Sequence, residues 1–264
     1  MSTKLKIAAA VAAAVLLSAC SSPKHEPMPL VKFTPSMEVT EVWSKGLSSA
    51  EGFLVPAVYD DMVFAAGGKT LTRLNARTGE TEWSVSFNSP ITGGVGSDGY
   101  VTAVGLWDGN LEVVDAEGKV SWEKKLTTEL ASPPVVSHGL VIARTMDTRV
   151  SAFEASSGEL QWTYQRSQPA LTVRLPTRML AHDNFLLVGQ PNGHIVILDI
   201  ASGKPMFEFQ VAQAKGVTEV ERLVDVVGAP AFSDNLVCAA AFQGAVTCVD
   251  STNGQTRWTQ KIDA

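Results

Sequence analysis

The sequence predicts an all-β fold, a β-propeller made of about five four-stranded antiparallel blades. Three observations support this prediction: an eleven-residue stretch occurs five times, each copy follows short apolar runs bounded by Gly, Asp and Asn, and no long stretch after the N-terminal segment has helical periodicity. Four short strands per unit, at a period near 40 residues, are typical of propeller blades.

The recurring stretch contains a turn followed by an aromatic residue, which is Trp in four copies and Phe in one. Its copies are LNARTGETEWS (74–84), VDAEGKVSWEK (114–124), FEASSGELQWT (153–163), LDIASGKPMFE (198–208) and VDSTNGQTRWT (249–259). A large aromatic side chain buries much apolar area. We therefore interpret this position as a packing anchor between neighbouring blades.

Each unit can be assigned four strands in order. The first two strands are apolar runs separated by a first turn, as in SPPVVSHGLVIAR. A second turn, such as WDG, PNG or FQG, leads to a third apolar strand. The recurring stretch supplies the third turn and the fourth strand. The distance from the centre of the first turn to the aromatic position is 23 or 24 residues in every unit. This constancy predicts a rigid unit with a fixed number of strands.

One segment does not fit the five units. EVWSKGL (41–47) resembles a fourth strand, but no first three strands precede it. In propellers such a strand usually completes the last blade, yet the last unit here already has its own fourth strand. We therefore expect the chain to be a piece of a longer propeller; the alternative is an unusual closure of the ring.

The N-terminus predicts export and lipidation. Lys4 and Lys6 precede a short apolar run that ends in Leu17-Ser18-Ala19-Cys20, a pattern similar to a bacterial lipobox. Residues 1–19 are then a lipoprotein signal peptide, Cys20 is the lipidated residue, 20–38 form a flexible tether and 39–264 form the propeller. Ser21 after the cysteine favours the outer membrane, and the alternative is an ordinary signal peptide with a chance cysteine.

Composition and motifs argue against several function classes. The formal net charge of −6 and the lack of a basic stripe argue against nucleic-acid binding. GVGSDG (94–99) matches a dinucleotide-binding pattern but aligns with the first turns of other blades, and the four histidines lack metal-ligand spacing. No nucleophile, base and oxyanion donor assemble, so the sequence predicts no catalytic residue, no metal and no cofactor.

The cysteines of the last unit flank the FQG turn. If Phe242–Gly244 form a three-residue loop, Cys238 and Cys248 lie directly opposite each other and can form a disulfide in an oxidising compartment. A register change of one residue would leave them diagonal, as two buried free thiols.

Two insertions interrupt the regular repeat. Both lie between a fourth strand and the next first strand, on consecutive units: loop A (167–178) and loop B (212–230). They are expected to emerge close together on one face, where repeat proteins often bind partners. Aliphatic residues (Leu171, Val173, Val217, Val220, Leu223) alternate there with charged ones (Arg174, Glu219, Glu221, Arg222, Asp225). This mixture suits a protein–protein contact, with Asp225 placed to orient Arg222; the alternative is a pair of self-packed loops.

The lipobox, the five repeats and the loop motifs LTVR and EVERLVDV together resemble the BamB family, the propeller lipoproteins of the outer-membrane β-barrel assembly (BAM) machinery. The resemblance implies a non-catalytic scaffold that binds the POTRA domains of BamA, together with other BAM subunits and nascent outer-membrane proteins. It places the partner-binding motif on Leu171, Val173, Arg174, Glu219, Arg222, Leu223 and Asp225.

The sequence departs from the family pattern in two ways. Val227 occupies a position where the family often has a second aspartate, and the family's propeller has eight blades whereas this chain supplies about five. Two other interpretations stay open at this stage: a fragment of a quinone-dependent dehydrogenase, which shares this repeat, and a periplasmic propeller that binds another ligand.

Overall fold

The structure, a computed structural model, describes residues 32–49, 54–167, 169, 171–173, 175 and 177–261. The predicted signal peptide, Cys20 and Arg174 lie outside the described residues. The chain divides into two units, Met1–Glu41 and Val42–Ala264. The described part of the first unit, residues 32–41, contains no helix or strand, and all the sheets belong to the second unit.

The described residues form five four-stranded antiparallel sheets, which confirms the predicted blades. Within each blade the strands follow one another in chain order, and a single 3-10 turn, η1 (Pro191–Gly193), interrupts blade 4.

Blade 1 contains β1 (Ala57–Tyr59), β2 (Met62–Gly67), β3 (Thr70–Asn75) and β4 (Thr81–Ser86). Blade 2 contains β5 (Ile91–Ser97), β6 (Thr102–Leu106), β7 (Asn110–Val114) and β8 (Val120–Lys125). Blade 3 contains β9 (Val135–Ser137), β10 (Leu140–Arg144), β11 (Val150–Glu154) and β12 (Leu160–Tyr164). Blade 4 contains β13 (Leu180–His182), β14 (Phe185–Gln190), β15 (His194–Asp199) and β16 (Pro205–Gln210). Blade 5 contains β17 (Val226–Ser233), β18 (Leu236–Ala241), β19 (Ala245–Asp250) and β20 (Thr256–Lys261).

The first turns have the tight geometry that the sequence indicated. Their central residues adopt positive φ: 47° at Asp60, 55° at His138, 47° at Asp183 and 50° at Asp234. Asp and His tolerate this left-handed region better than most residues. In blade 2, Gly99 takes the position with φ 88°, so GVGSDG spans the end of β5 and a hairpin turn. The next element is strand β6 instead of a helix, which confirms that this motif is part of the repeat.

The core lies between successive blades. The second strands β6 and β10 are buried along their whole length, because blades 2 and 3 are each covered on both faces by neighbouring blades. The fourth strands β8 and β20, in contrast, are almost entirely exposed. This explains why the second strands appear in the sequence as continuous apolar runs without alternation.

In blades 1 to 4 the recurring aromatic residue joins its blade to the next, as predicted. The indole N–H of Trp122 donates to the Ala155 carbonyl at 2.8 Å, and its ring lies on Gly158. A Cβ atom at Gly158 would lie 2.8 Å from the ring, and the residue has φ 71°, so both space and backbone require glycine. The same contact recurs in the pairs Trp43–Gly79, Trp83–Gly118, Trp162–Gly203 and Phe207–Gly254.

The predicted strand at 41–47 does not form. Residues 32–49 contain no strand, because no first three strands are present among the described residues to share its hydrogen bonds. The side chain of Trp43 nevertheless donates to the Ala76 carbonyl at 2.9 Å and packs against Gly79. It therefore makes the contact of a fourth-strand Trp beside blade 1 without being in a strand.

Cys238 and Cys248 are paired across blade 5. The FQG residues form a three-residue loop between β18 and β19, and the strand register places the two cysteines directly opposite each other. Their Cα atoms are 4.1 Å apart, and the sulfur atoms are bonded as a disulfide.

Candidate partner-binding surface

Loops A and B meet at one end of blades 4 and 5. Thr177 of loop A forms a parallel bridge with Gly228 of loop B, and the Arg178 amide donates to the Gly228 carbonyl at 2.9 Å. The last residues of loop B, 226–230, belong to strand β17, which contains a bulge between Val227 and Ala231. The two insertions therefore lie side by side, as their positions in the repeat indicated.

Asp225 fastens the two loops together. The residue is buried, and its Oδ2 accepts a hydrogen bond from the Val173 amide at 2.6 Å, while its Oδ1 accepts one from the Asn192 amide at 3.3 Å. The expected contact between Asp225 and Arg222 is replaced by these two bonds. Asp225 thus positions loop A instead of presenting its carboxylate on the surface.

The tip of loop B is held by a capping box. Glu221 Oε2 accepts hydrogen bonds from the amides of Val217 (2.9 Å) and Thr218 (3.0 Å), and the Glu221 amide donates to Thr218 Oγ1 at 3.3 Å. The two amide bonds are the main reason why the pKa of Glu221 is lowered. Glu221 is therefore occupied within the loop, and its neighbours Glu219 and Arg222 remain exposed.

Aliphatic side chains project from both loops. Leu171 and Leu175 of loop A are 42% and 44% exposed, and Val217 and Val220 of loop B are 94% and 60% exposed. Val173, Leu223 and Val227 are half-buried. Exposed aliphatic residues beside Glu219 and Arg222 form an amphipathic surface, and such a mixture is typical of protein interfaces.

A polar cavity lies behind this surface, and the sequence did not indicate it. Its volume is about 330 Å³. It is lined by the start of β5 in blade 2, the segment before β9 and the β10–β11 turn in blade 3, the end of β14 in blade 4, the start of β17 in blade 5, and loop A with Asp225. Buried Arg144, Gln190 and Ser132 line it. Ser132 precedes β9 and Arg144 ends β10 in blade 3, whereas Gln190 ends β14 in blade 4, so only the folded chain brings them together.

The other candidate chemistry of the sequence takes no part in this surface. His138 is an exposed turn residue, and His182 stacks on Phe232 with the ring centroids 3.8 Å apart. Across the part of the chain that the structure describes, no group of three or more His, Cys, Asp or Glu side chains could hold a metal ion. No described helix has the length and apolar character needed to cross a membrane.

Comparison with known proteins identifies the family. The model of the family described as "Outer membrane protein assembly factor BamB" matches residues 67–264. The chain belongs to the BamB family. BamB of Burkholderia pseudomallei is 38% identical over 256 residues, covering 95% of this chain and 67% of the relative. BamB of Bordetella pertussis is 34% identical over 256 residues, covering 94% of this chain and 66% of the relative. The chain thus spans about two thirds of the length of these BamB relatives.

Solved structures show the same fold. The crystal structure of BamB from Moraxella catarrhalis has a TM-score of 0.72 and 28% identity, covering 80% of this chain and 65% of that one. The quinohemoprotein alcohol dehydrogenase of Comamonas testosteroni has a TM-score of 0.64 and 18% identity, covering 83% of this chain and 44% of the enzyme. At that identity the likeness to the dehydrogenase concerns the propeller fold alone.

Proposed function

We propose that this chain is a non-catalytic scaffold lipoprotein of the BAM complex, anchored to the outer membrane through Cys20 and facing the periplasm. Loops A and B bind the POTRA domains of BamA, next to other BAM subunits and nascent outer-membrane proteins. The chain thereby assists the assembly and insertion of outer-membrane β-barrels.

The observation that best supports this proposal is the surface formed by the two loops. Asp225 and the Thr177–Gly228 bridge fix the loops to each other, so that Leu171, Leu175 and Val220 are presented from a preformed scaffold. Preformed surfaces lose little conformational entropy on binding. Arg174 has the residue type that interfaces favour, and its place in the LTVR motif assigns it to the same contact.

A scaffold role is also supported over an enzymatic one. The relatives that match nearly the whole chain are named as assembly factors, whereas the dehydrogenase resembles the chain in fold only. A protein that binds a partner needs exposed apolar area on a rigid framework, which the two loops have.

The proposal is tested by measuring the affinity of the chain for purified BamA POTRA domains by calorimetry. Replacing Leu171 and Val220 by Ala removes exposed apolar area from both loops, and we expect the dissociation constant to rise about tenfold or more. The matched control replaces Leu160 and Val58, which are similarly exposed on β12 and β1, by Ala. Equal affinity of the two double variants, each with a wild-type circular dichroism spectrum, would contradict the assigned surface.

A further inference from the structure

The cavity behind the loops contains hydrogen-bond donors that have no acceptor in the described part of the chain. Arg144, Gln190 and Ser132 are 5%, 4% and 3% exposed. Arg144 Nε and Nη1, Gln190 Nε2 and Ser132 Oγ are all buried and have no hydrogen-bond partner among the residues that the structure describes. Buried polar groups are nearly always satisfied in native proteins, so three such side chains around one cavity call for an explanation.

Arg144 is also an exception within the repeat. Six residues after the positive-φ residue of the first turn, the other blades carry small residues: Ala66, Gly105, Gly189 and Ala240. Blade 3 carries Arg144 at this position, at the end of strand β10. The framework of a blade therefore needs no charge there, and the arginine is an addition to the repeat.

The charge of Arg144 is poorly compensated inside the protein. Burial lowers the pKa of its guanidinium to about 10, and the nearby Asp225 carboxylate opposes this shift. Among the ion pairs of the described residues, none joins Asp225 to Arg144, and the two Asp225 oxygens accept hydrogen bonds from the amides of Val173 and Asn192. A buried cation without a bonded partner destabilises the fold unless something else supplies an acceptor.

The cavity is continuous with the surface formed by the loops. Val173, Leu175 and Thr177 of loop A line it together with Arg144. A partner lying on the exposed side of loop A would therefore reach the opening of the cavity. Its volume of about 330 Å³ is much larger than one water molecule needs, and it can receive a side chain.

We propose that this cavity receives a carboxylate side chain of the docked partner, which accepts hydrogen bonds from Arg144, Gln190 and Ser132. This inference rests on the proposed function, because it assumes that the partner docks on loops A and B. A carboxylate fits best, since it accepts several hydrogen bonds, neutralises the guanidinium and offers no donor that would need an acceptor. Asp225 also lines the cavity, where its oxygens accept hydrogen bonds from backbone amides, while Arg144 Nε and Nη1 have no acceptor among the described residues and can bind the partner.

The test compares Arg144→Met with Arg149→Met in the full chain, using purified BamA POTRA domains as the probe. Arg149 follows Arg144 in the same hairpin, but its guanidinium pairs with Asp147 at 3.8 Å and it does not line the cavity. We expect Arg144→Met to weaken binding tenfold or more and to raise the unfolding midpoint of the free chain, because it removes an unpaired buried charge. Arg149→Met is expected to bind like the wild type.

A second measurement identifies the partner's group. Each Asp and Glu of the POTRA domains is replaced by Asn or Gln, and each variant is measured against both the wild type and Arg144→Lys, which keeps the charge and loses the planar fork. One acidic residue is expected to show a non-additive effect with Arg144. Wild-type affinity of a folded Arg144→Met chain, or additive effects at every acidic residue, would overturn the inference.

The outcomes separate this inference from the proposed function. If the Leu171, Val220 double variant loses affinity while Arg144→Met does not, the loops bind the partner and the cavity does not receive its carboxylate. If the wild-type chain fails to bind the POTRA domains at all, the proposed function itself is wrong. If Arg144→Met does not fold, the acidic scan against Arg144→Lys still decides the question.

Discussion

At the residue scale, charged side chains that look alike in the sequence of loop B have different roles in the structure. Asp225 and Glu221 stand among exposed charged residues of loop B, yet both use their carboxylates to accept backbone amides. Glu219 lies two positions before Glu221, and Arg222 lies three positions before Asp225, yet both remain exposed. The family motif therefore combines residues that shape the loops with residues that can contact a partner.

The paired residues Glu112 and Glu123 should make the stability of blade 2 depend on pH. Glu112 is buried on β7 directly opposite Glu123 on β8. Burial, followed by the negative charge of Glu123, raises the pKa of Glu112 from 4.5 to about 7. Because the folded state holds this proton more tightly than the unfolded state, the stabilisation is present below pH 4.5 and is lost as the pH rises towards 7.

The measurement is the urea midpoint of the wild type and of Glu112→Gln at pH 5 and pH 8. We expect the wild type to lose stability relative to the variant over this interval, on the order of 1 kcal/mol after solvent screening. Glu123→Gln should reduce the effect, because it removes the charge opposite Glu112. A parallel pH response of wild type and Glu112→Gln would show that Glu112 titrates normally.

At the element scale, the contact between blades depends on one aromatic residue and one glycine. Blade 4 deviates from this pattern, because Phe207 stands where the other blades have Trp. Ser251 precedes Gly254 by three residues, just as Ala155, the acceptor of the Trp122 hydrogen bond, precedes Gly158. A phenyl ring has no N–H that could donate to the Ser251 carbonyl. A cavity of about 540 Å³, lined by Phe207 and Ser251, lies at this junction.

Phe207→Trp should therefore strengthen the junction of blades 4 and 5. The indole would fill part of the cavity and donate a hydrogen bond to Ser251, and we expect the free energy of unfolding to rise by about 1 kcal/mol. The reciprocal change Trp122→Phe should lower it by a similar amount, because it removes the bond to Ala155. Both are measured by denaturant unfolding; a destabilised Phe207→Trp would mean that the junction cannot accept the larger ring.

The repeat explains how much of the structure could be predicted. Turn chemistry and the spacing to the aromatic position are local, so they predicted all five blades, their strand order and the loop between Cys238 and Cys248. Two features depended on contacts distant in sequence and were missed. Residues 41–47 have the composition of a strand but find no strand to pair with among the described residues, and Arg144 becomes a cavity residue only when four blades converge.

At the scale of the whole molecule, function requires that the surface of the two loops is held where its partner is. The family is described as an outer membrane protein assembly factor, and Cys20, the lipidation site we propose, is followed by a proline-containing stretch in residues 21–38. Several acyl chains on one residue hold a protein on a membrane stably, whereas one chain binds only marginally. The proposed lipid on Cys20 would therefore keep loops A and B close to a partner that is also at the membrane.

Cys20→Ala should separate folding from location. The substitution removes the acceptor thiol for the lipid, and we expect the protein to shift from the outer-membrane fraction to the soluble periplasmic fraction, measured by fractionation and immunoblotting. The control is Ser22→Ala, a change two residues away that leaves the lipobox intact. The released protein should still bind isolated POTRA domains with wild-type affinity, because loops A and B are built on blades 4 and 5. Full sedimentation of Cys20→Ala with the outer membrane in cells that lack BamA would disprove the lipid anchor, since neither lipid nor the proposed partner would then hold the chain there.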